Sequence, residues 1–502
     1  MPLSKRWPST GKTSTLRLVA HALAESAPTK KIIYFAYNRS IADEAQAAFP
    51  DNVTANTSHS FARAGLADGR YKNKINQVGQ GVRLPADQAA ILGIPKQFIA
   101  DDEYVSGAVA ARLAMATVRK YRESGDDDLT GQHLPQAVSD TPELATAVLG
   151  YARAAWADIT DPAGKLLFDH DDYLKIWALS KPRLLCDMIF FDEAQDINGV
   201  LRRLVQDQPT QTIVVGDSNQ SIYSFRGAID ALRGWPANVT LPLTQSWRFG
   251  SVPAAVGNRF LTMLGSPLLL EGNPRLNTRL APVEAPDAVL CRTNAGAIGE
   301  VFDALQSGKR VAMVGGGQAL KDIARAARDL QGRRTRHPEL ADFPDWDAVR
   351  DHIRDDPDAQ SLEVFVTLVE RYGAEQLIRM LDQLVPEDDP DPDEGPQVVV
   401  STVHKAKGRE WDHVKIANDF RGPTYDEKTK EIIPPSDEAL RLAYVTVTRA
   451  RKTLQLGSLG WICDDDVVAE VMAALPSHCV TGPSRSFPTP TARLPPRRRR
   501  IN

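Results

Sequence analysis

Ile189-Phe-Phe-Asp-Glu-Ala-Gln-Asp196 is the stretch whose reading decides the fold. Together with the residues before it, CDMIFF forms a short apolar run bounded by polar residues, the pattern of a buried strand. That strand delivers two carboxylates, Asp192 and Glu193, side by side at its end. A strand ending in metal- or phosphate-directed residues fits a parallel sheet whose ligands sit at the carboxyl edge. In this position Asp192 would bind Mg²⁺, directly or through water, and Glu193 would orient and deprotonate an attacking water. The plainer reading is a strand that ends in a solvated acidic turn. Gln195 and Asp196, which extend the pattern, weigh against it.

Working outward, KIIYFAYN (Lys31–Asn38) and QTIVVGD (Gln211–Asp217) read as two more buried strands. Ahead of them Ser9, Thr10, Gly11, Lys12 and Thr13 open a helix that continues through Ser14 to Glu25. A helix N-terminus offers free N–H groups and a positive dipole end to phosphate. Lys12 would reach the β- and γ-phosphates of ATP, and the Thr13 hydroxyl would ligate Mg²⁺. The residues before Gly11 depart from this pattern, because Arg6, Trp7 and Pro8 stand where small, flexible residues form a phosphate cradle. The apolar strand expected before the loop is missing as well. One explanation is that the first strand and half the loop lie upstream of Met1, or were replaced through a frame error.

The helical stretches SGAVAARLAMATVRKYRE and ELATAVLGYARAAW, with the acidic turn SGDDD between them, lie between Phe61 and Lys181 and read as a helical insertion. After Arg248 the α/β pattern resumes with DAVLCRTN, a helix around IGEVFDAL and the strand KRVAMVGGG. A charge-rich helical piece follows from about Leu320 and closes in the acidic connector VPEDDPDPDEGP, after which QVVVSTVH restores the sheet pattern. The chain ends in TGPSRSFPTPTARLPPRRRRIN, whose Pro, Ser and Arg content is that of a disordered basic tail.

A chain of 502 residues, 42% hydrophobic and 25% charged, can bury more than one core, which makes several domains the first expectation. No apolar run is long enough to span a bilayer, and the first residues lack the apolar stretch of a secretory signal. The expected setting is cytoplasmic, or nuclear in a eukaryote, with no membrane. Cys186, Cys291, Cys463 and Cys479 show no CxxC spacing and so no zinc or redox pair. A net charge of −4 argues against a protein that coats nucleic acid through a basic surface, though not against one that grips a strand in a groove.

Four further segments follow in order: GDSNQSIYSFRGA, LTQSWRF, STVHKAKGREWD and LAYVTVTRA. Their order and kind resemble the UvrD/Rep-type superfamily 1 DNA helicases. The wording AYNRSIADEA, TSHSFA and LTQSWRFG is most similar to the F-box DNA helicase type and its microbial and phage relatives, although no F-box is visible. The resemblance implies two RecA-like P-loop NTPase domains with helical insertions. Residues 1–61 and 182–248 would form domain 1A, and 62–181 the insertion 1B. Residues 249–319 and 397–480 would form domain 2A, with 320–396 as a reduced 2B-like insertion and acidic linker and 481–502 as the tail.

By the same resemblance Gln220 would sense the γ-phosphate, and Arg248 and Arg449 would be arginine fingers from the second motor domain. Glu410, beside Gly408, would contact the ribose. Phe225 stands where relatives stack an aromatic ring on a base, with Tyr223 near it. Tyr37, Asn38, His59, Trp247, Thr402 and His404 match positions that line the DNA channel or couple it to the nucleotide. The implied activity is ATP-driven 3′ to 5′ movement of a monomer on single-stranded DNA, with unwinding at single-strand/duplex junctions. Two other readings stand beside it: a DNA-binding pseudo-helicase whose loop is spoiled at Arg6, Trp7 and Pro8, and the motor subunit of a recombination or nuclease complex.

Overall fold

The computed structural model describes residues 11–475 apart from 68, 139, 224–229, 334, 336, 338, 339, 341, 342, 344, 356–359, 388–393 and 427. Ser9, Thr10 and Phe225, the residues Arg6, Trp7 and Pro8, half of the acidic connector and the basic tail therefore lie outside the described residues. The chain divides into two compact units. One, the N-terminal unit, comprises Lys12–Ala237 and Arg336–Pro344; the other, the C-terminal unit, comprises Asn238–Thr335 and Asp345–Asn502 together with Met1–Gly11.

In the N-terminal unit, helix α1 (Lys12–Ser26) is followed by β1 (Ile32–Ala36), α2 (Arg39–Ala48), β2 (Val53–Thr57) and α3 (Ser58–Leu66). The insertion carries α4 (Lys72–Ile75), α5 (Pro85–Ile91), a hairpin of β3 (Gln97–Ala100) and β4 (Glu103–Ser106), α6 (Gly107–Glu123), α7 (Pro142–Thr160) and α8 (His170–Leu179). The chain then returns through β5 (Met188–Phe191), α9 (Gly199–Gln206) and β6 (Gln211–Val214). The main sheet has the order β2-β1-β5-β6, and every pair in it is parallel.

Alternation along these strands explains why they are apolar throughout. Successive side chains point to opposite faces, and helices cover both faces of a parallel sheet. Ile32, Tyr34, Met188 and Phe190 join Leu16, Ala20 and Ala42 in one buried cluster. Ile33, Phe35, Ile189 and Phe191 join Val200, Leu204 and the insertion residues Val118, Ala152 and Phe168 in another. Burying each Val, Leu, Ile, Phe or Met side chain of these clusters stabilises the fold by about 1.5–3 kcal/mol. The insertion is therefore built onto the sheet through a shared core rather than tethered beside it.

The segment expected to be a helical insertion also carries a hairpin. β3 and β4 pair in antiparallel register, Phe98 with Val105 and Ile99 with Tyr104. Asp101 and Asp102 make the turn, with φ of 51° and 63°. A two-residue hairpin turn of this hand needs positive φ at both central positions, a conformation that Asp tolerates better than most residues. Asp101 also caps the neighbouring helix, its carboxylate accepting from the N–H groups of Glu143 and Leu144 at 3.2 and 3.0 Å.

In the C-terminal unit, α10 (Ser251–Met263) precedes β7 (Arg279–Leu280), β8 (Ala288–Cys291), α11 (Asn294–Gln306) and β9 (Val311–Met313). Four helices follow: α12 (Gln318–Leu330), α13 (Trp346–Asp355), α14 (Gln360–Tyr372) and α15 (Ala374–Leu381). The sheet resumes with β10 (Val398–Thr402), followed by α16 (Val403–Ala406), β11 (Trp411–Ile416), the small hairpin β12 (Thr424–Tyr425) and β13 (Ile432–Ile433), α17 (Asp437–Val447), β14 (Ala450–Gln455) and α18 (Asp465–Ala474). The order is β7-β14-β11-β8-β10-β9, again parallel throughout. No helix among the described residues is long and apolar enough to cross a membrane.

Candidate nucleotide site and DNA-facing residues

At the carboxyl edge of the N-terminal sheet, Gly11 has φ +76°, in the left-handed region where only glycine is unstrained, and turns the chain into α1. The first two residues of α1 are thereby aimed at the end of β5. The Thr13 hydroxyl donates to Asp192 Oδ2 at 2.7 Å across 179 residues of sequence. The Lys12 ammonium lies 3.7 Å from Glu193 Oε2, with its side chain only 8% exposed. Burial alone would lower the Lys12 amine; Glu193, Asp217, Asp192 and Asp196 around it outweigh burial and raise it above its ordinary value. Lys12 therefore remains charged inside an acidic pocket.

Burial, and then the neighbouring Glu193, push the Asp192 carboxyl above the usual carboxylate range, against the pull of Lys12 and of hydrogen bonds from Thr13 and Tyr34. Two adjacent acids share one lysine, which leaves negative charge for a cation to offset. No cluster of three or more metal-binding His, Cys, Asp or Glu side chains occurs among the described residues. One hydroxyl and one carboxylate, both oxygen donors, instead fit Mg²⁺ carried in with substrate phosphates, since that ion keeps waters and takes few protein ligands.

Glu193 has φ +51° and ψ +41°, a left-handed conformation rare for a residue with a side chain. The conformation costs free energy of about 1–3 kcal/mol. Gln195, wholly buried, holds the Glu193 carboxylate: its amide donates to Glu193 Oε2 at 2.5 Å and to Asp196 Oδ2 at 3.0 Å, and its carbonyl accepts from the Asp217 N–H at 2.9 Å. Gly216 has no room for a side chain, because a Cβ there would lie 2.6 Å from Gln195 Oε1. Gln220 donates to Asp217 Oδ2 at 2.8 Å. Lys12, Thr13, Asp192, Glu193 and Gln220 thus form one connected network, of which the half-buried Ser14 is not a member.

Sequence reading passed over Tyr34, Gln195 and Asp217 as site residues. Tyr34 OH donates to Asp192 Oδ2 at 2.8 Å from a fully buried ring. Its signal was a hydroxyl inside an apolar strand, which must find a partner. Gln195 counted in the sequence only as an extension of the acidic motif.

The residues expected to face DNA in this unit also sit at the carboxyl edge. Tyr37 is 44% exposed and stacks on Tyr223, ring centroids 6.0 Å apart and planes 21° from parallel. Asn38 caps α2, its Oδ1 accepting from the Ile41 N–H at 2.9 Å. His59 Nε2 lies 3.0 Å from Asp171 Oδ1, joining α3 to the first turn of α8. The hydrogen bond from His59 is the main reason the Asp171 carboxyl lies below its usual range, burial acting the other way.

In the C-terminal unit Arg248 and Arg449 are both buried. Arg248 Nε donates to Glu410 Oε2 at 2.5 Å, and Nη1 donates to the Thr448 carbonyl at 2.9 Å. Arg449 donates to the Val445 carbonyl at 2.8 Å and to Thr448 Oγ1 at 3.0 Å. Glu410 also faces Arg451 at 3.7 Å, so the glutamate expected at a ribose is here the anchor of an arginine. Gly408 has φ +79° with nothing within 4 Å of a built Cβ, so backbone conformation rather than space demands glycine there. Trp247 is 55% exposed beside the buried Arg248, while Thr402 is buried at the end of β10 and His404 follows in α16. Arg292, at the carboxyl end of β8, has a buried Nε without a hydrogen-bond partner and was not singled out in the sequence.

Two parallel α/β sheets, the N-terminal one carrying its acidic motif residues at the carboxyl edge and the C-terminal one holding Arg248, Glu410 and Arg449 where β11 and β14 begin, define the class: a pair of RecA-like P-loop NTPase domains. A UvrD/REP helicase N-terminal domain model matches residues 8–231 and a UvrD-like helicase C-terminal domain model matches residues 320–459, and the chain belongs to this UvrD-like helicase family. It is 28% identical over 497 residues to F-box DNA helicase protein 1 of Schizosaccharomyces pombe, covering 90% of this chain and 55% of that protein. It is 29% identical over 488 residues to F-box DNA helicase 1 of Gallus gallus, covering 89% of this chain and 46% of that protein. The chain spans about half the length of the curated relatives it matches.

Proposed function

We propose that this chain is an ATP-dependent DNA helicase that moves 3′ to 5′ on single-stranded DNA and opens duplex at junctions. The observation that carries the reading is the buried network of Lys12, Thr13, Asp192, Glu193 and Gln220 at one sheet edge. Mg²⁺, when bound, would neutralise phosphate charge beside Thr13 and Asp192. Lys12 binds the β- and γ-phosphates, and Gly11 with the first turn of α1 supplies backbone N–H groups to them. Glu193, held in its left-handed turn by Gln195, orients the attacking water and accepts its proton. Gln220 reports the γ-phosphate to the segment that carries Tyr223 and Phe225. Arg248 and Arg449 stabilise the charge of the transferring phosphoryl group, and Glu410 contacts the ribose once Arg248 leaves it.

In the same reading Tyr37, Asn38, His59, Tyr223, Phe225, Trp247, Thr402 and His404 face the strand, the aromatic rings as stacking platforms. The N-terminal unit corresponds to domain 1A with insertion 1B, and the C-terminal unit to domain 2A with α12–α15 as a reduced 2B. ATP hydrolysis measured with and without single-stranded DNA tests the motor, and strand displacement on 3′- and 5′-tailed duplexes tests its direction. Stimulation by DNA and displacement only from the 3′-tailed duplex are expected. The sequence Arg6-Trp7-Pro8 before the loop favours one rival, a DNA-binding protein without turnover. DNA binding with no stimulated hydrolysis, here and in a version extended upstream, would establish that rival instead.

A further inference from the structure

From the geometry around Asp192 we propose that Tyr34 is a positioning residue for divalent-cation binding, acting through the Asp192 carboxylate; this rests on the ATP-hydrolysing reading of the site. Tyr34 is the middle residue of β1, paired with Ala55 of β2 on one side and Phe190 of β5 on the other. Its ring is wholly buried and packs against Phe49, centroids 5.1 Å apart. Neighbouring strands and that packing hold the ring in place, and its hydroxyl reaches the carboxyl edge at Asp192 Oδ2, 2.8 Å away.

The three hydrogen bonds on Asp192 differ in kind. Oδ1 accepts from the N–H of Glu193 at 2.8 Å, a bond made by the backbone itself. Oδ2 accepts from Thr13 at 2.7 Å and from Tyr34 at 2.8 Å. Thr13 is itself the hydroxyl that would face the cation, so its orientation changes with occupancy. Tyr34 comes from the sheet core, where its ring is wholly enclosed. The Tyr34 hydroxyl and the Glu193 N–H therefore fix the plane of the carboxylate from two sides, whatever Thr13 does. Groups that orient a metal ligand from behind typically change metal affinity 10–100-fold when removed.

Tyr34→Phe keeps the ring and removes only the donor. Mn²⁺ serves as the probe, its free concentration read by electron paramagnetic resonance during titration in the presence of a non-hydrolysable ATP analogue. The variant is expected to bind Mn²⁺ about 10-fold more weakly than the parent chain. Its binding of a fluorescent ATP analogue in EDTA is expected to be unchanged. Phe49→Leu disturbs the same ring packing but leaves the hydrogen bond, and is expected to retain the parent Mn²⁺ affinity. Titrations in the cold with saturating analogue favour the folded state by mass action, and thermal melting confirms folding of each variant.

An unchanged Mn²⁺ affinity in folded Tyr34→Phe overturns the proposal, as does an equal loss in Phe49→Leu. Because the readout is binding, it separates from the motor reading. A parent chain that binds Mn²⁺ with the analogue but hydrolyses no ATP removes the helicase function while leaving Tyr34 its role.

Discussion

The two clusters of buried charge in this molecule are built in opposite ways. In the N-terminal unit, Asp192 and Glu193 crowd one lysine, and the acids are held by donors from a strand, a helix and a glutamine. In the C-terminal unit, Arg248 and Arg451 face one glutamate, Glu410, and the guanidinium groups of Arg248 and Arg449 are otherwise held by backbone carbonyls and a threonine of the α17 end. The acidic cluster is interlocked by polar side chains from the start of α1, the middle of β1 and the segments that follow β5 and β6. The basic cluster depends for Arg248 on one carboxylate, Glu410, that a competing anion could replace. A buried ion pair of this kind contributes little net stability, because desolvation offsets attraction, yet removing one partner is costly. In the proposed motor, the contrast is that of a fixed acidic site and a cation kept in store.

The largest expected effect tests the stored cation. Arg248→Ala should reduce DNA-stimulated ATP hydrolysis about 10³-fold or more, the usual magnitude for a lost arginine finger, with nucleotide binding retained. Steady-state hydrolysis beside equilibrium binding of a fluorescent ATP analogue measures both. A residual rate within a few-fold of the parent would make Arg248 a purely structural partner of Glu410.

Next comes the fixed acid. Glu193→Gln should lower the turnover rate about 10²–10⁴-fold, as for removal of a general base, without weakening ATP or single-stranded DNA binding. Single-turnover hydrolysis with prebound nucleotide isolates the chemical step. Turnover retained at the parent rate would take Glu193 out of that role and leave its left-handed backbone unexplained.

Smaller effects are expected where the site meets DNA. Replacing Trp247 or Tyr37, both exposed, by Ala should cost about 1–3 kcal/mol in single-stranded DNA affinity for each base stacked. Fluorescence anisotropy with a short oligonucleotide at fixed salt reads the change, and hydrolysis without DNA should be unaffected. Equal affinity in both variants would restrict stacking to Tyr223 and Phe225.

The smallest effect lies away from both clusters. Lys175, in the middle of α8, donates to the carbonyls of Ser124 and Asp126 at 2.8 and 2.6 Å. Burial brings its amine down to about 8 from an ordinary 10.5, with Asp126 and Asp127 pulling the other way. Between these values the unfolded chain binds more protons than the folded one, so this lysine's unfavourable contribution diminishes as pH rises from about 8 to 10.5. The melting temperature of Lys175→Met relative to the parent should therefore decline across that window. A difference that is flat with pH would show that Lys175 titrates as it does in water.

Much of the fold was legible because its signals are local. An apolar run such as MIFF is a strand wherever it lies in a parallel sheet, and the order of the motifs survives any detail of packing. The hairpin at Gln97–Ser106 was not legible in the same way, since its turn uses Asp101 and Asp102 rather than the Asn-Gly or Asp-Gly pair that marks such turns. The candidate site divides similarly: Lys12, Thr13, Asp192 and Glu193 were recognisable from type and spacing, whereas Tyr34 and Gln195 were not.

The amino-acid sequence by itself determined which residues carry charge, which strands are buried and in what order the motifs occur, because composition and periodicity act over a few residues. Tertiary structure alone decided that Tyr34 meets Asp192 158 positions away, and that Arg248 is held by Glu410 162 positions away. Those pairings depend on strand register and on which helix end meets which sheet edge, and a one-residue slip in β1 would point the Tyr34 ring to the opposite face.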